Sequence, residues 1–277
     1  MYSISRWLIV IVGSIMNVSA GPQISFEGLP NSGVVLYAGA TSEFNQILDA
    51  RIEPATRSAI APLLPYSVIL VNRSASPLVA VVVRAELTDQ FGKTITSDMM
   101  ISSLTLHNMI PVGATILVTP VSGLNTVLRE GRQMSLDAAD DLAQMVARRS
   151  SRYSAQTGIR ITLDSVAFSD GSVVGPDLTN NLSRMNSWIE AERALAEELL
   201  RCDPAEVPAF LEDAIRRTTE LPLSAVKNVY QFADHRRHAA RMALLLSQHL
   251  GTGAEFAAEV SGRIGSLVPM LHRRDGK

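Results

Sequence analysis

Asp234-His235-Arg236-Arg237-His238 is the local cluster with metal-ligand residue types. On a helix, His235 and His238 lie three apart and could face one ion, with Asp234 or the distant His249 completing a site. Two arginines between them oppose a cation, and the glutamate of a zinc-protease helix motif is missing, so a solvated helix face explains the run more simply. Asp137, Asp140 and Asp141 lack the alternating oxygens and central glycine of a calcium loop, and suit the positive end of a helix. Glu190, Glu192, Glu197 and Glu198 interleave with arginines, the pattern of a salt-bridged surface rather than of two carboxylates facing across a cleft. Gly251-Thr252-Gly253 begins like a dinucleotide fingerprint, but it follows a helix and has Phe256 where the third glycine belongs. No Gly-x-Ser-x-Gly elbow, phosphate loop or His-Glu-x-x-His occurs. These runs give no catalytic residue, no cofactor site and no metal site beyond the weak candidates Asp234, His235 and His238. A triad assembled from distant residues stays open, because such sites are defined by geometry.

The elements that would carry such groups follow a secretory leader. Arg6 precedes the apolar run Trp7-Leu8-Ile9-Val10-Ile11-Val12, and Val18-Ser19-Ala20 offers small residues at cleavage spacing, which predicts a signal peptide over 1–20 and a mature chain from Gly21. Gly13, Ser14 and Asn17 interrupt the run, which argues against a retained span, and no cysteine follows it for a lipid anchor. The expected location is secreted or periplasmic. The sole cysteine, Cys202, cannot form an internal disulfide and has no histidine in sequence reach to activate it. A composition 47% hydrophobic and 19% charged, with a net charge of −2, gives no field for attracting polyanions and argues against a nucleic-acid partner.

Residues 22–180 read mostly as strands and 181–270 as helices, with the boundary near Gly175-Pro176-Asp177. In 78–88, Val81, Val83, Ala85 and Leu87 share one face and Arg84, Glu86 and Thr88 the other, as in a sheet wetted on one side. Asp89-Gln90-Phe91-Gly92-Lys93 carries hairpin chemistry, and further strands are expected at 34–38, 103–107 and 114–119. Ile159, Ile161 and Leu163 alternate with polar residues before the apolar phase slips to Val166 and Phe168, so a β-bulge is expected near Asp164-Ser165. Ser135 can cap an inserted helix over 136–149. Apolar positions at helical spacing predict a helix carrying Leu182 to Leu199 and ended by Asp203-Pro204, a second carrying Val207, Phe210, Leu211 and Ile215, and two more from about 223 to 249 and 254 to 268, with Trp188 on a core-facing phase.

The run 71–78, the long alternating strand after it and the turn Asp89–Lys93 resemble the paired strands of exported bacterial immunoglobulin-like or fibronectin-like sandwich modules, over about residues 66–93. The resemblance implies architecture only, and the chain lacks the cysteine pair and core tryptophan of true immunoglobulin domains. The expected fold is therefore α+β: an N-terminal antiparallel β-sandwich of immunoglobulin-like type over 21–178 with an inserted helix, then a C-terminal α-helical hairpin or bundle region over 179–277. The expected role is a non-enzymatic interaction or structural module with a possible protein partner, no cofactor and no membrane span after leader removal. Its oligomeric state is not readable. The alternative is a secreted hydrolase with a site at the sandwich–helix junction, drawing on His107, His235 or His238 and carboxylates. Scarce aromatic residues disfavour a carbohydrate-binding module. Arg236, Arg237, Arg241, Arg273 and Arg274 could form a basic patch, although scattered surface arginines are commoner.

Overall fold

A computed structural model describes residues 21–103, 109–129, 131, 133–135, 140–216, 229–266 and 269–274. The chain begins with β1 (Gln23–Glu27) and β2 (Val34–Ala38), then α1 (Ser42–Arg51) and α2 (Pro54–Ile60), which runs into a 3-10 segment, Ala61–Tyr66. Six strands and a helix follow: β3 (Val68–Asn72), β4 (Leu78–Thr88), β5 (Thr94–Ser102), β6 (Thr115–Val118), β7 (Thr126–Leu128), α3 (Asp140–Ser154) and β8 (Gly158–Phe168). The last part carries β9 (Ser172–Val174), α4 (Asn181–Leu199), α5 (Val207–Arg216), α6 (Val229–Leu250), α7 (Ala254–Ser266) and β10 (His272–Arg273). Among the described residues no helix is long and apolar enough to cross a membrane.

The result is a mixed α+β fold with two sheets. The larger has the order β10-β9-β8-β4-β5, with β1 beside the first half of β8; the smaller is β2-β3-β6-β7. The sheets share a core because alternation turns Val81, Val83, Ala85 and Leu87 of β4 and Ile159, Ile161 and Leu163 of β8 toward Val68 and Leu70 of β3 and Ile116 and Val118 of β6. Helices α1 to α3 cover the far side of the small sheet, where Phe44, Leu48, Ile60 and Val146 meet Ile69 and Leu117. Helix α4 covers half of the far side of the large sheet, seating Met185 and Ile189 on Val79, Ala80, Ala167 and Val173. The other half of that face carries Arg84, Glu86, Thr96 and Asp98 at alternate positions of β4 and β5. Beyond the sheet, Leu195 and Leu199 of α4 join Leu211, Ala240, Phe256 and Val260 in a separate helical core.

Several expectations hold in detail. β2 spans 34–38, and β6 falls within 114–119. The hairpin forms around Asp89, whose Oδ1 accepts from the N–H groups of Phe91 and Lys93, while Gly92 takes a left-handed φ of 77°. The bulge sits where the apolar phase slips: Val82 lies opposite Ser165 and Val83 opposite Leu163, so Asp164 is the extra residue.

Three features differ from the sequence expectation. Residues 42–60 are helical, because Thr41 Oγ1 accepts from Phe44 N–H at the start of α1 and Pro54 opens α2. The sheets are not wholly antiparallel: β1 pairs parallel with β8, and β10 parallel with β9. Alternation identifies strands without naming their partners. The C-terminal segment is not helical to its end, since β10 returns to the large sheet and Asn186 of α4 exchanges hydrogen bonds with the backbone of Leu271. β5 ends at Ser102; the strand expected at 103–107 falls almost wholly on 104–108, which with His107 lie outside the described residues, as do 136–139 with Asp137 and 223–228.

Candidate functional site

The bulge in β8 builds the junction between the large sheet and α4. An extra residue re-aims its side chain, and Asp164, 1% exposed, reaches the segment before α4. Its Oδ1 accepts from Leu178 N–H at 3.0 Å, and its Oδ2 from Thr179 N–H at 3.4 Å and the Thr179 hydroxyl at 2.9 Å. Asp177 then caps the helix, accepting from Asn181 N–H at 2.7 Å and Leu182 N–H at 3.2 Å. Both Asp177 and Asn180 have left-handed backbones, at φ 49° and 56°. Every orphan N–H of the helix start that these aspartates reach is thereby satisfied.

Burial pushes the Asp177 carboxyl above the usual carboxylate range, and the nearby Asp164 charge adds to this, while the two N–H donors oppose it. A carboxyl raised in the folded state favours folding when protonated, so this group makes the protein more stable as pH falls through its folded value toward 3.8. Asp177→Asn keeps an acceptor for the cap and removes the titration. Its stability relative to the parent, measured by urea unfolding, is therefore expected to be higher at pH 7 than at pH 4. A difference independent of pH would contradict this.

Beside the capped helix start lies a recess of about 380 Å³ lined by Arg84, Thr96, Asp98, Thr179, Asn180 and Arg184, with exposed Leu178 at its rim. Arg84 and Asp98 are directly opposite on β4 and β5. The Arg84 guanidinium holds Glu86 at 2.7 Å, and Glu86 also meets Arg160 of β8. Arg184 spans from α4 to Asp98 at 3.2 Å and lies over the Trp188 ring at 5.0 Å. Three buried polar atoms on this side of the sheet have no hydrogen-bond partner among the described residues: Arg84 Nε, Ser165 Oγ and Asn181 Oδ1. Each sits at this junction: Arg84 two residues along β4 from Val82, Ser165 opposite Val82, and Asn181 as the first residue of α4. An unsatisfied buried polar atom costs about 1–3 kcal/mol unless a water or ligand group meets it. A second, more open hollow of about 700 Å³ at the end of the small sheet is lined by Arg51, Met109, Val112, Thr126 and Arg129, among others, and none of its lining residues has such an atom.

The candidates read from sequence are dispersed. Asp234 faces solvent and pairs with Arg237. His235 is buried at the α4–α6 contact, stacked on Trp188 with ring centroids 5.3 Å apart, its unpartnered Nε2 3.7 Å from Glu192 Oε2. His238 is beside it, ring centroids 6.2 Å apart. Among the described residues no group of three or more His, Cys, Asp or Glu side chains is placed to hold a metal ion. Glu197 pairs with Arg201 and Glu198 with Arg236, as a salt-bridged surface requires. Four arginines of the suggested basic patch have separate partners: Arg236 on Glu198, Arg237 on Asp234, Arg273 on the Pro176 carbonyl and Arg274 on Ser172 and Asp170. Cys202 is a half-buried free thiol raised above its ordinary value by burial and by the Glu206 and Asp203 charges, the reverse of an activated nucleophile.

Arg84, Asp98, Asp164 and Arg184 were not singled out by sequence as site residues. The available signal was the polar phase of β4 and the slip at Asp164. No family model, curated protein or solved structure matches the chain, and the junction is argued from its geometry.

Proposed function

We propose that this chain is an exported, non-enzymatic interaction module that seats a small polar ligand, or the polar end of a partner, in the recess between the large sheet and α4. The supporting observation is a recess lined by charges of both signs from two strands and α4, one of whose lining residues, Arg84, keeps a buried Nε without a partner among the described residues. The charged groups around it act as ion-pair and capping partners rather than as a nucleophile with its base, which favours binding over the hydrolase alternative. The two stacked sheets support the sandwich reading of the first half. Its immunoglobulin-like character rests on the strands of 66–93, and the helical core beyond Leu195 supports an α-helical C-terminal region. Export rests on the leader, and protein recovered from the envelope or medium is expected to begin at Gly21.

The test is a thermal-shift screen of the mature chain against sugars, phosphate, amines, carboxylates and amino acids, repeated on Arg184→Ala. Ligand binding to the native state raises the apparent melting temperature in proportion to occupancy. At least one class is expected to raise it in the parent and not in Arg184→Ala. No shift with any class, or shifts indifferent to Arg184, would contradict the proposal.

A further inference from the structure

We infer that the junction recess recognises a small zwitterion, a ligand carrying a carboxylate and an ammonium, of amino-acid or dipeptide type; this rests on the recess being a ligand site. The lining presents charges of both signs at fixed positions. Arg84 and Asp98 face each other across adjacent strands, and Arg184 closes over Asp98 from α4. A simple anion entering here must face Asp98, and a simple cation must face two guanidiniums; a ligand with both signs matches each.

The donors suit a carboxylate. A guanidinium has five N–H groups in a planar fork. Arg84 uses Nη2 on Glu86 and Arg184 reaches Asp98 Oδ2 through Nη1, so each guanidinium has a second terminal nitrogen for a ligand carboxylate. Thr96, Thr179 and Asn180 add hydroxyl and amide groups that can donate or accept. A volume of about 380 Å³ sits at the small end of ligand sites, the size for a dipeptide rather than an oligomer. Leu178, 65% exposed at the rim, offers apolar contact to a ligand side chain.

Calorimetric titration of the mature chain with glycylglycine, acetate and methylamine at pH 7 and low salt tests this. Glycylglycine is expected to bind at least about tenfold tighter than either half-ligand, because it makes both charged contacts where each half-ligand makes one. Asp98→Asn is expected to weaken glycylglycine about tenfold and to bind acetate no more weakly than the parent, since the opposing carboxylate is gone, while Arg184→Gln weakens both. Asp98 lies in an edge strand with its side chain 35% exposed, so the substitution leaves the core intact, and circular dichroism verifies it. Glycylglycine binding no tighter than acetate, or unchanged by Asp98→Asn, overturns the inference. Arg184-dependent binding of a sugar or phosphate instead overturns it while keeping the recess as a ligand site. Binding of none of these classes overturns both.

Discussion

Asp164→Ala is expected to lower the stability of the mature chain by about 2–4 kcal/mol, among the largest effects for a single polar side chain in this fold. The carboxylate is buried in the bulge of β8 and accepts from two backbone N–H groups and one hydroxyl across the sheet–helix junction. Alanine leaves Leu178 N–H and Thr179 N–H without their acceptor and releases the segment that carries Asp177 to the start of α4. Asparagine retains one acceptor oxygen and recovers part of the loss. Asp98→Ala is the control: its ion pair with Arg184 is a third exposed, and pairs of that kind contribute about 0–1 kcal/mol. Equilibrium urea unfolding compares the three. A loss below about 1 kcal/mol for Asp164→Ala would show that the bulge does not anchor α4.

Gly175→Ala carries the second large effect. Gly175 has φ 121°, which L side chains rarely adopt, and a Cβ there would stand 2.3 Å from the Asp164 carbonyl oxygen with the Ser165 Cα at 3.0 Å. The obstacle is backbone inside a paired strand, so it cannot swing aside, and relief requires moving either the bulge or the approach to α4. Strain of this type costs about 1–3 kcal/mol before any displacement of the junction. The expected outcome is a fall in melting temperature of about 4 °C or more, together with weaker ligand binding at the recess, since Thr179 and Asn180 lie four and five residues after Gly175. Gly253→Ala, where a Cβ meets nothing within 4 Å, is expected to be nearly neutral. Equal melting temperatures for the two variants would contradict the close approach at Gly175.

Local patterning made much of the sheet legible. Period two in 78–88 separated Val81, Val83, Ala85 and Leu87 from Arg84 and Glu86, and that division corresponds to shared core and open face. The bulge was readable because a one-residue slip between Leu163 and Val166 has few other solutions in a buried strand. Partner choice was not readable. The parallel pairing of β1 with β8 and of β10 with β9 depends on where the chain returns after long connections, which alternation does not encode. Helices α1 and α2 were missed because their signals, a threonine cap and a proline at the first turn, are short and lie between strands.

The candidate site was less legible still. Residue types drew attention to His235 and His238, but helical phase turned His235 onto Trp188 and left Asp234 to Arg237. The recess joins residues from β4, β5 and the start of α4, separated by up to a hundred positions, and none belongs to a local motif. Asp98 and Arg184 meet only because α4 crosses the face on which Asp98 stands.

The most direct measurement is a two-dimensional ¹⁵N–¹H NMR titration of the mature chain with glycylglycine. The account predicts that the largest amide shifts fall in 96–98 and 178–184, around Asp98, Thr179 and Arg184. Shifts centred on 111–115 and 126–129 at the open hollow of the small sheet, or no shifts at saturating ligand, would contradict it.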